Sequence, residues 1–187
     1  MNYSIRKAVL PDRAAIQDLI AASARGLSRG YYDDSQIEAA VRVVFGVDTD
    51  LIDDETYFVA ETNSGELIGC GGWSRRKNLY GGDQYEIRNS ETLQPGIEPA
   101  RIRAFFVHSD YARQGIGRAI LTTCERDAFA HGFQSLELMA TLPGVPFYEV
   151  EGYDKGEPFY LELDEGITLP LIKMTKRLSP GVIDNND

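Results

Sequence analysis

An α/β (α+β) fold is predicted by three observations on this sequence. Helix-period apolar stretches and β-rich runs follow one another in the order β-αα-βββ-α-β-α-ββ. Turn signals built on Gly, Pro, Asn and Asp separate them. An apolar run at 101–107 leads through a glycine loop straight into a helical pattern at 119–131, which is a strand-to-helix junction of the α/β kind.

The elements are justified in order. A short strand at 3–8 comes first. Pro11 and Asp12 then open a helix, since proline presets the first-turn φ where no N–H donor is needed, and Ile16, Leu19 and Ile20 return at helical spacing. Ser35-Gln36-Ile37-Glu38 has the form of a capping box, so a second helix is expected from Ser35, with Ile37, Val41 and Val44 as its apolar stripe. The runs 57–61 and 66–73 are β-rich, and Asn63-Ser64-Gly65 between them predicts a hairpin. Residues 75–99 show no regular pattern, and a loop of that length is expected to serve function. After the glycine loop, 135–140 is a strand, and Pro143 and Pro146 mark the entry to a short helix ending near Gly152. The runs 159–163 and 169–178 close an antiparallel hairpin around Asp164-Glu165-Gly166. One domain is expected over 1–178, with 179–187 a disordered tail.

The loop Ala112-Arg113-Gln114-Gly115-Ile116-Gly117-Arg118 is the most informative stretch. At a helix start the first amides have no intrahelical acceptor, and the helix dipole adds partial positive charge, so such a turn suits a phosphate or pyrophosphate. Gly115 and Gly117 remove side chains that would keep a ligand from the backbone. The spacing fits neither a P-loop, which needs a Gly-Lys-Ser/Thr end, nor the dinucleotide fingerprint, which needs a third glycine and a later acidic residue.

The 187 residues carry 29 acidic and 19 basic side chains, a formal charge of −10. That balance opposes nucleic-acid binding, which draws on a basic face. It would suit a polyamine or histone acceptor electrostatically, and it equally suits plain solubility. With no apolar run of membrane-spanning length and no leader pattern, the expectation is a cytoplasmic protein without a membrane partner. The two cysteines, Cys70 and Cys124, have no metal-ligand spacing and are expected as buried free thiols, with no metal.

The stretch 107–121, with Gln114-Gly115-Ile116-Gly117 at its centre, resembles the acyl-CoA pyrophosphate loop of the GNAT superfamily of N-acetyltransferases, whose core is Arg/Gln-x-x-Gly-x-Gly/Ala. Pro146-Phe147-Tyr148-Glu149-Val150-Glu151-Gly152-Tyr153 is similar to that superfamily's Phe-Tyr-x-x-x-Gly-Phe/Tyr segment. One position departs: Ala112 stands first in the motif, with the arginine moved to Arg113. The resemblance implies a mixed, mostly antiparallel central sheet flanked by helices, with splayed strands forming an acyl-CoA slot. It implies acetyl-CoA as donor, held by the backbone around Phe106 and Val107 and by Arg113, Gln114, Gly115, Ile116, Gly117 and Arg118. It further implies that the connection between the first two helices contributes to the acceptor site, and that Tyr148 is the general acid.

Acetyl transfer from a thioester to an amine needs a neutral amine, a stabilised oxyanion and a proton for the departing thiolate, but no covalent nucleophile. Tyr148 is either that acid or an aromatic packed beside Phe147 with a structural hydroxyl. For the base, His108, Glu98, Glu86 and Asp110 are all open, as is water. Arg101 and Arg103, two apart on a strand, share a face and either bind an anionic acceptor or pair with neighbouring acids. Tyr31, Tyr32, Asp33, Asp34 and Trp73 could offer an aromatic wall and counter-charge to an ammonium, or pack as ordinary core. Tyr31, Tyr32, Trp73 and Arg103 are taken as the acceptor candidates. The expected function is acetyl-CoA-dependent transfer to a primary amine of a small molecule or peptide. The alternative is a non-catalytic acyl-CoA-binding sensor or interaction module. A homodimer is the prior for assembly.

Overall fold

In the computed structural model, which describes residues 2–87 and 89–179, β1 (Tyr3–Lys7) is followed by α1 (Arg13–Leu27), α2 (Asp34–Val43) and α3 (Thr49–Asp53). Next come β2 (Tyr57–Thr62), β3 (Leu67–Ser74) and β4 (Ala100–Val107). Then follow α4 (Ile116–Ala130), β5 (Ser135–Thr141), α5 (Val145–Val150), β6 (Asp154–Glu162) and β7 (Thr168–Arg177). The strands form one seven-stranded sheet in the order β1-β2-β3-β4-β5-β7-β6. All neighbours are antiparallel except β4 and β5. This is the mixed, mostly antiparallel sheet that the family resemblance implies. The expected tail from 180 onward lies outside the described residues.

Side-chain alternation along the strands divides the core between the two faces of the sheet. On one face, Phe58, Ile102, Leu136 and Leu138 pack with Ile116, Ile120 and Leu121 of α4 and Tyr148 of α5. On the other, Tyr57, Val59, Leu169 and Leu171 pack with Ile16, Leu19 and Ile20 of α1, Ile37 and Ala40 of α2 and Leu51 of α3. Cys70 and Cys124 are fully buried free thiols, one on each side, and burial pushes the Cys70 thiol up to about 12.

Three boundaries differ from expectation, each for a local reason. The box that starts α2 is formed by Asp33 and Gln36, not by Ser35 and Glu38. The Asp33 carboxylate accepts from the Gln36 amide at 2.8 Å, and the Gln36 side chain accepts from the Asp33 amide at 3.1 Å. Glu38 instead pairs with Arg25 of α1 at 2.7 Å. α3 was not foreseen, because five residues are too few to display a helical period. β6 begins at Asp154 rather than 159, and its solvent-exposed residues carry no apolar signal before Phe159.

α4 ends in a Schellman motif. Gly132, at φ +89°, donates to Phe129 O, and Phe133 donates to Ala128 O, which turns Phe133 back onto Trp73.

Candidate functional site

The site begins with a defect in β4. Gly72 pairs with Arg103 and Cys70 with Phe106, so Ala104 and Phe105 stand opposite the single residue Gly71. This is a β-bulge. Ala104 takes φ +47°, a conformation that costs a non-glycine residue roughly 1–2 kcal/mol. The Tyr57 hydroxyl, buried beneath, donates to the Ala104 carbonyl at 3.1 Å and holds it there. The bulge bends β4 away from β5. The two pair only at Ala100–Leu136 and Arg101–Glu137, whereas β5 stays paired with β7 from Ser135 to Thr141. Past Arg101 the strands diverge, and a cavity of about 690 Å³ opens between them, lined by 102–107 on one side and 138–141 on the other.

The mouth of this slot, on the α4 face, is the glycine loop. Gly115 caps α4 in the left-handed region at φ +83°, and Arg113 is also left-handed at φ +64°. Among the described residues, no group accepts a hydrogen bond from the amides of residues 113–118. Arg113, Gly115, Ile116, Gly117 and Arg118 line the cavity. A Cβ at Gly117 would stand 3.4 Å from the Phe147 ring, in ordinary contact. A run of unpartnered donors at a helix start fits a pyrophosphate. Among the described residues, the β4 edge at Phe106 and Val107 is not paired with β5, and both residues line the cavity. Gln114 does not line the slot; its side chain turns back to the Asp110 carbonyl at 3.4 Å. Arg118 is tied to Glu151 at 2.8 Å across the mouth.

Deeper on the same face stands Tyr148. It is 7% exposed, with its ring 5.0 Å from Phe147 and 5.4 Å from Tyr153. Tyr148 lines the cavity, and among the described residues no group hydrogen-bonds its hydroxyl. Burial raises this phenol well above its ordinary value, so it carries its proton at any physiological pH.

The opposite face of the slot is a chamber under the end of α1, the residues after α2 and the loop at 79–82. Phe45 sets its ring 5.5 Å from Phe106, and Tyr80 sits 5.6 Å from Phe159. Leu27, Met139 and Leu171 complete the apolar wall. Part of the long 75–99 loop therefore covers this chamber.

Of the four acceptor candidates, the chamber takes in Tyr31, half exposed at its rim, and the buried Arg103. The other two are corrected. Trp73 is fully buried on the α4 face, its indole N–H donating to Asp127 at 2.6 Å, and does not line the cavity. Tyr32 is drawn inward, donating to the Pro170 carbonyl at 2.7 Å and accepting from the Leu142 amide at 2.8 Å. Neither side chain lines the cavity. Arg103 does line the cavity, but its guanidinium is engaged: it pairs with Asp48 at 2.8 Å and donates to the carbonyls of Asn78 and Gly81. Arg101 pairs with Glu137. Both arginines thus follow the paired alternative.

None of the open base candidates lines the cavity. His108 caps a turn by accepting from the Asp110 amide at 3.2 Å, and Glu98 accepts from the Gln94 amide at 2.9 Å. Phe45, Leu27, Met139 and Leu171 escaped sequence reasoning because each reads as ordinary core. Tyr80 lay in the irregular stretch, where Gly81-Gly82 beside it was the one available hint.

Among the described residues, no helix is long and apolar enough to cross a membrane, and no group of three His, Cys, Asp or Glu side chains could hold a metal ion.

The model of the acetyltransferase (GNAT) family matches residues 21–153. In shape the chain is similar to a GCN5-related N-acetyltransferase from Rhodopseudomonas palustris, at 21% identity and TM-score 0.69, covering 95% of this chain and 97% of that one. It is similar also to the PaiA N-acetyltransferase from Thermoplasma acidophilum in complex with coenzyme A, at 17% identity and TM-score 0.63, over 95% and 100%. A ribosomal-protein-alanine N-acetyltransferase from Brucella melitensis aligns at 15% identity and TM-score 0.61, over 94% and 99%. At these identities the likeness is one of fold. A search of curated proteins found no match.

Proposed function

Because the chain belongs to the acetyltransferase (GNAT) family, and is thus an acetyl-CoA-dependent acyltransferase, we propose that it passes the acetyl group directly to a primary amine of a small molecule or peptide. The observation that carries this is the slot open to both faces of the sheet, with a row of free amides at one mouth and an apolar chamber at the other.

The donor supplies an acetyl group activated as a thioester. The amides of 113–118 hold its pyrophosphate, and the open edge of β4 orients the pantetheine arm. An amine in the chamber then attacks the thioester carbon from the far side of the sheet. A C–N bond forms, the C–S bond breaks, and the sulfur takes a proton from the Tyr148 hydroxyl. The nitrogen gives its proton to water, and a proton from water restores the Tyr148 hydroxyl. Holding both reactants across one slot accounts for much of the acceleration, since it replaces a bimolecular encounter by a fixed geometry.

Acetyl-CoA should raise the melting temperature by binding the folded form, and a panel of amines should release free thiol. No melting shift and no heat of binding would remove the donor assignment. Binding without thiol release from any amine would remove the transfer step.

A further inference from the structure

The chamber has a chemistry of its own. Its walls are Leu27, Phe45, Tyr80, Phe106, Met139 and Leu171. Among the described residues, the only charged side chains lining the whole cavity are Arg103, Arg113, Arg118 and Glu151. Three of these stand at the donor mouth, where Arg118 and Glu151 pair with each other. The fourth, Arg103, is balanced by Asp48. Among the described residues, no acidic side chain but Glu151, at the donor mouth, lines the cavity.

We propose that the acceptor is a small amine carried on a single aromatic or branched aliphatic group, and that polycationic amines are excluded; this rests on the acetyl-transfer reading of the same slot. An apolar body buries its surface against the six side chains and gains by leaving water. A second ammonium would lose its hydration with no carboxylate to replace it. The same dry walls lower the pKa of the one reacting amine, favouring the neutral form that attacks. Besides the Tyr31 and Thr141 hydroxyls, two buried polar handles remain. Ser23 and Ser28, 3% and 4% exposed, line the cavity, and among the described residues no group hydrogen-bonds either hydroxyl. Their hydroxyls can donate to or accept from an acceptor amine. The cavity of about 690 Å³ must hold the pantetheine arm as well, which leaves room for a small body rather than a peptide.

The test compares kcat/KM, by thiol release at saturating acetyl-CoA, for 2-phenylethylamine, spermidine and a pentapeptide with N-terminal leucine. Phenylethylamine should exceed spermidine by at least about tenfold, the ratio set by even a modest cost of burying an unpaired ammonium. Equal or better use of spermidine overturns the proposal, as does better use of the peptide. Thiol release from none of the three also overturns it. A melting shift with acetyl-CoA then shows that the donor site stands, and its absence that both readings fall. Leu27→Glu, at a position 37% exposed and so tolerant of charge, brings a carboxylate to the rim. It should shift the ratio toward spermidine with the KM for acetyl-CoA unchanged, and an unmoved ratio overturns the placement of the acceptor.

Discussion

The Arg103 guanidinium lies 2.8 Å from the Asp48 carboxylate, with both side chains at most 3% exposed. Through its bonds to the Asn78 and Gly81 carbonyls, the same guanidinium fastens the loop over the acceptor chamber to the edge of the β4 bulge. Arg103→Met removes one partner of a buried pair and leaves the other charge behind, at a cost of about 3–5 kcal/mol. Urea unfolding should show that loss. In whatever fraction stays folded, the KM for the acceptor should rise while acetyl-CoA affinity changes little. Undiminished stability would mean that the pair does not secure the loop.

Tyr148→Phe separates chemistry from packing. The hydroxyl has no hydrogen-bond partner among the described residues, so its removal should leave the melting temperature nearly unchanged. As a general acid it should be worth about 10²–10⁴-fold in kcat. Acetyl-CoA binding, measured by calorimetry, should stay close to wild type. Full turnover in the variant would leave Tyr148 as a packed aromatic only.

Gly115 and Gly132 both occupy the left-handed region, at φ +83° and φ +89°. A side chain at Gly115 meets no atom within 4 Å, so Gly115→Ala strains the backbone without a steric clash. Each alanine variant should lose roughly 1–2 kcal/mol of stability. Only Gly115→Ala should also weaken acetyl-CoA, because it disturbs the amides at the slot. Gly132→Ala, at the far end of α4, serves as the control. Equal affinity in both variants would dissociate the loop from donor binding.

The Asp12 carboxylate receives two bonds from the Arg6 guanidinium, at 2.7 and 3.0 Å, which hold it below its ordinary value of 3.8. Between the folded and unfolded values the unfolded chain binds more protons, so stability rises with pH through that window. The contribution is fully present above pH 3.8 and is lost as pH falls through the folded value. Arg6→Met should therefore melt lower than wild type at pH 7, with the gap closing below about pH 4. Melting curves from pH 7 to 2.5 check this. A gap of constant size would assign the difference to packing.

Much of the fold was legible in the residues themselves. The 3.6-residue period of Ile16, Leu19 and Ile20 and the turn chemistry of Asn63-Ser64-Gly65 depend on neighbours in the chain, and so does the strand–glycine–helix junction at 107–116. The glycine loop was legible for the same reason: a helix start exposes its amides wherever the rest of the protein lies. Other features were hidden because they depend on residues distant in the chain. The sequence left Arg103 open between an anionic acceptor and a neighbouring acid, and could not name Asp48, Asn78 and Gly81 as its partners. The sequence left Trp73 open between an aromatic wall and ordinary core, and could not show its indole meeting Asp127. Nothing in Arg103-Ala104-Phe105 announces a bulge, since the extra residue exists only relative to the count on β3. That register shift parts β4 from β5 and so makes the slot, the place for Tyr148 and the acid-free chamber beyond. The sequence by itself determined the strand–glycine–helix turn and the amides it exposes. Only the tertiary structure decided what can stand opposite it, because the chamber walls come from α1, the stretch after α2, the 79–82 loop, β4, β5 and β7, which no local pattern relates.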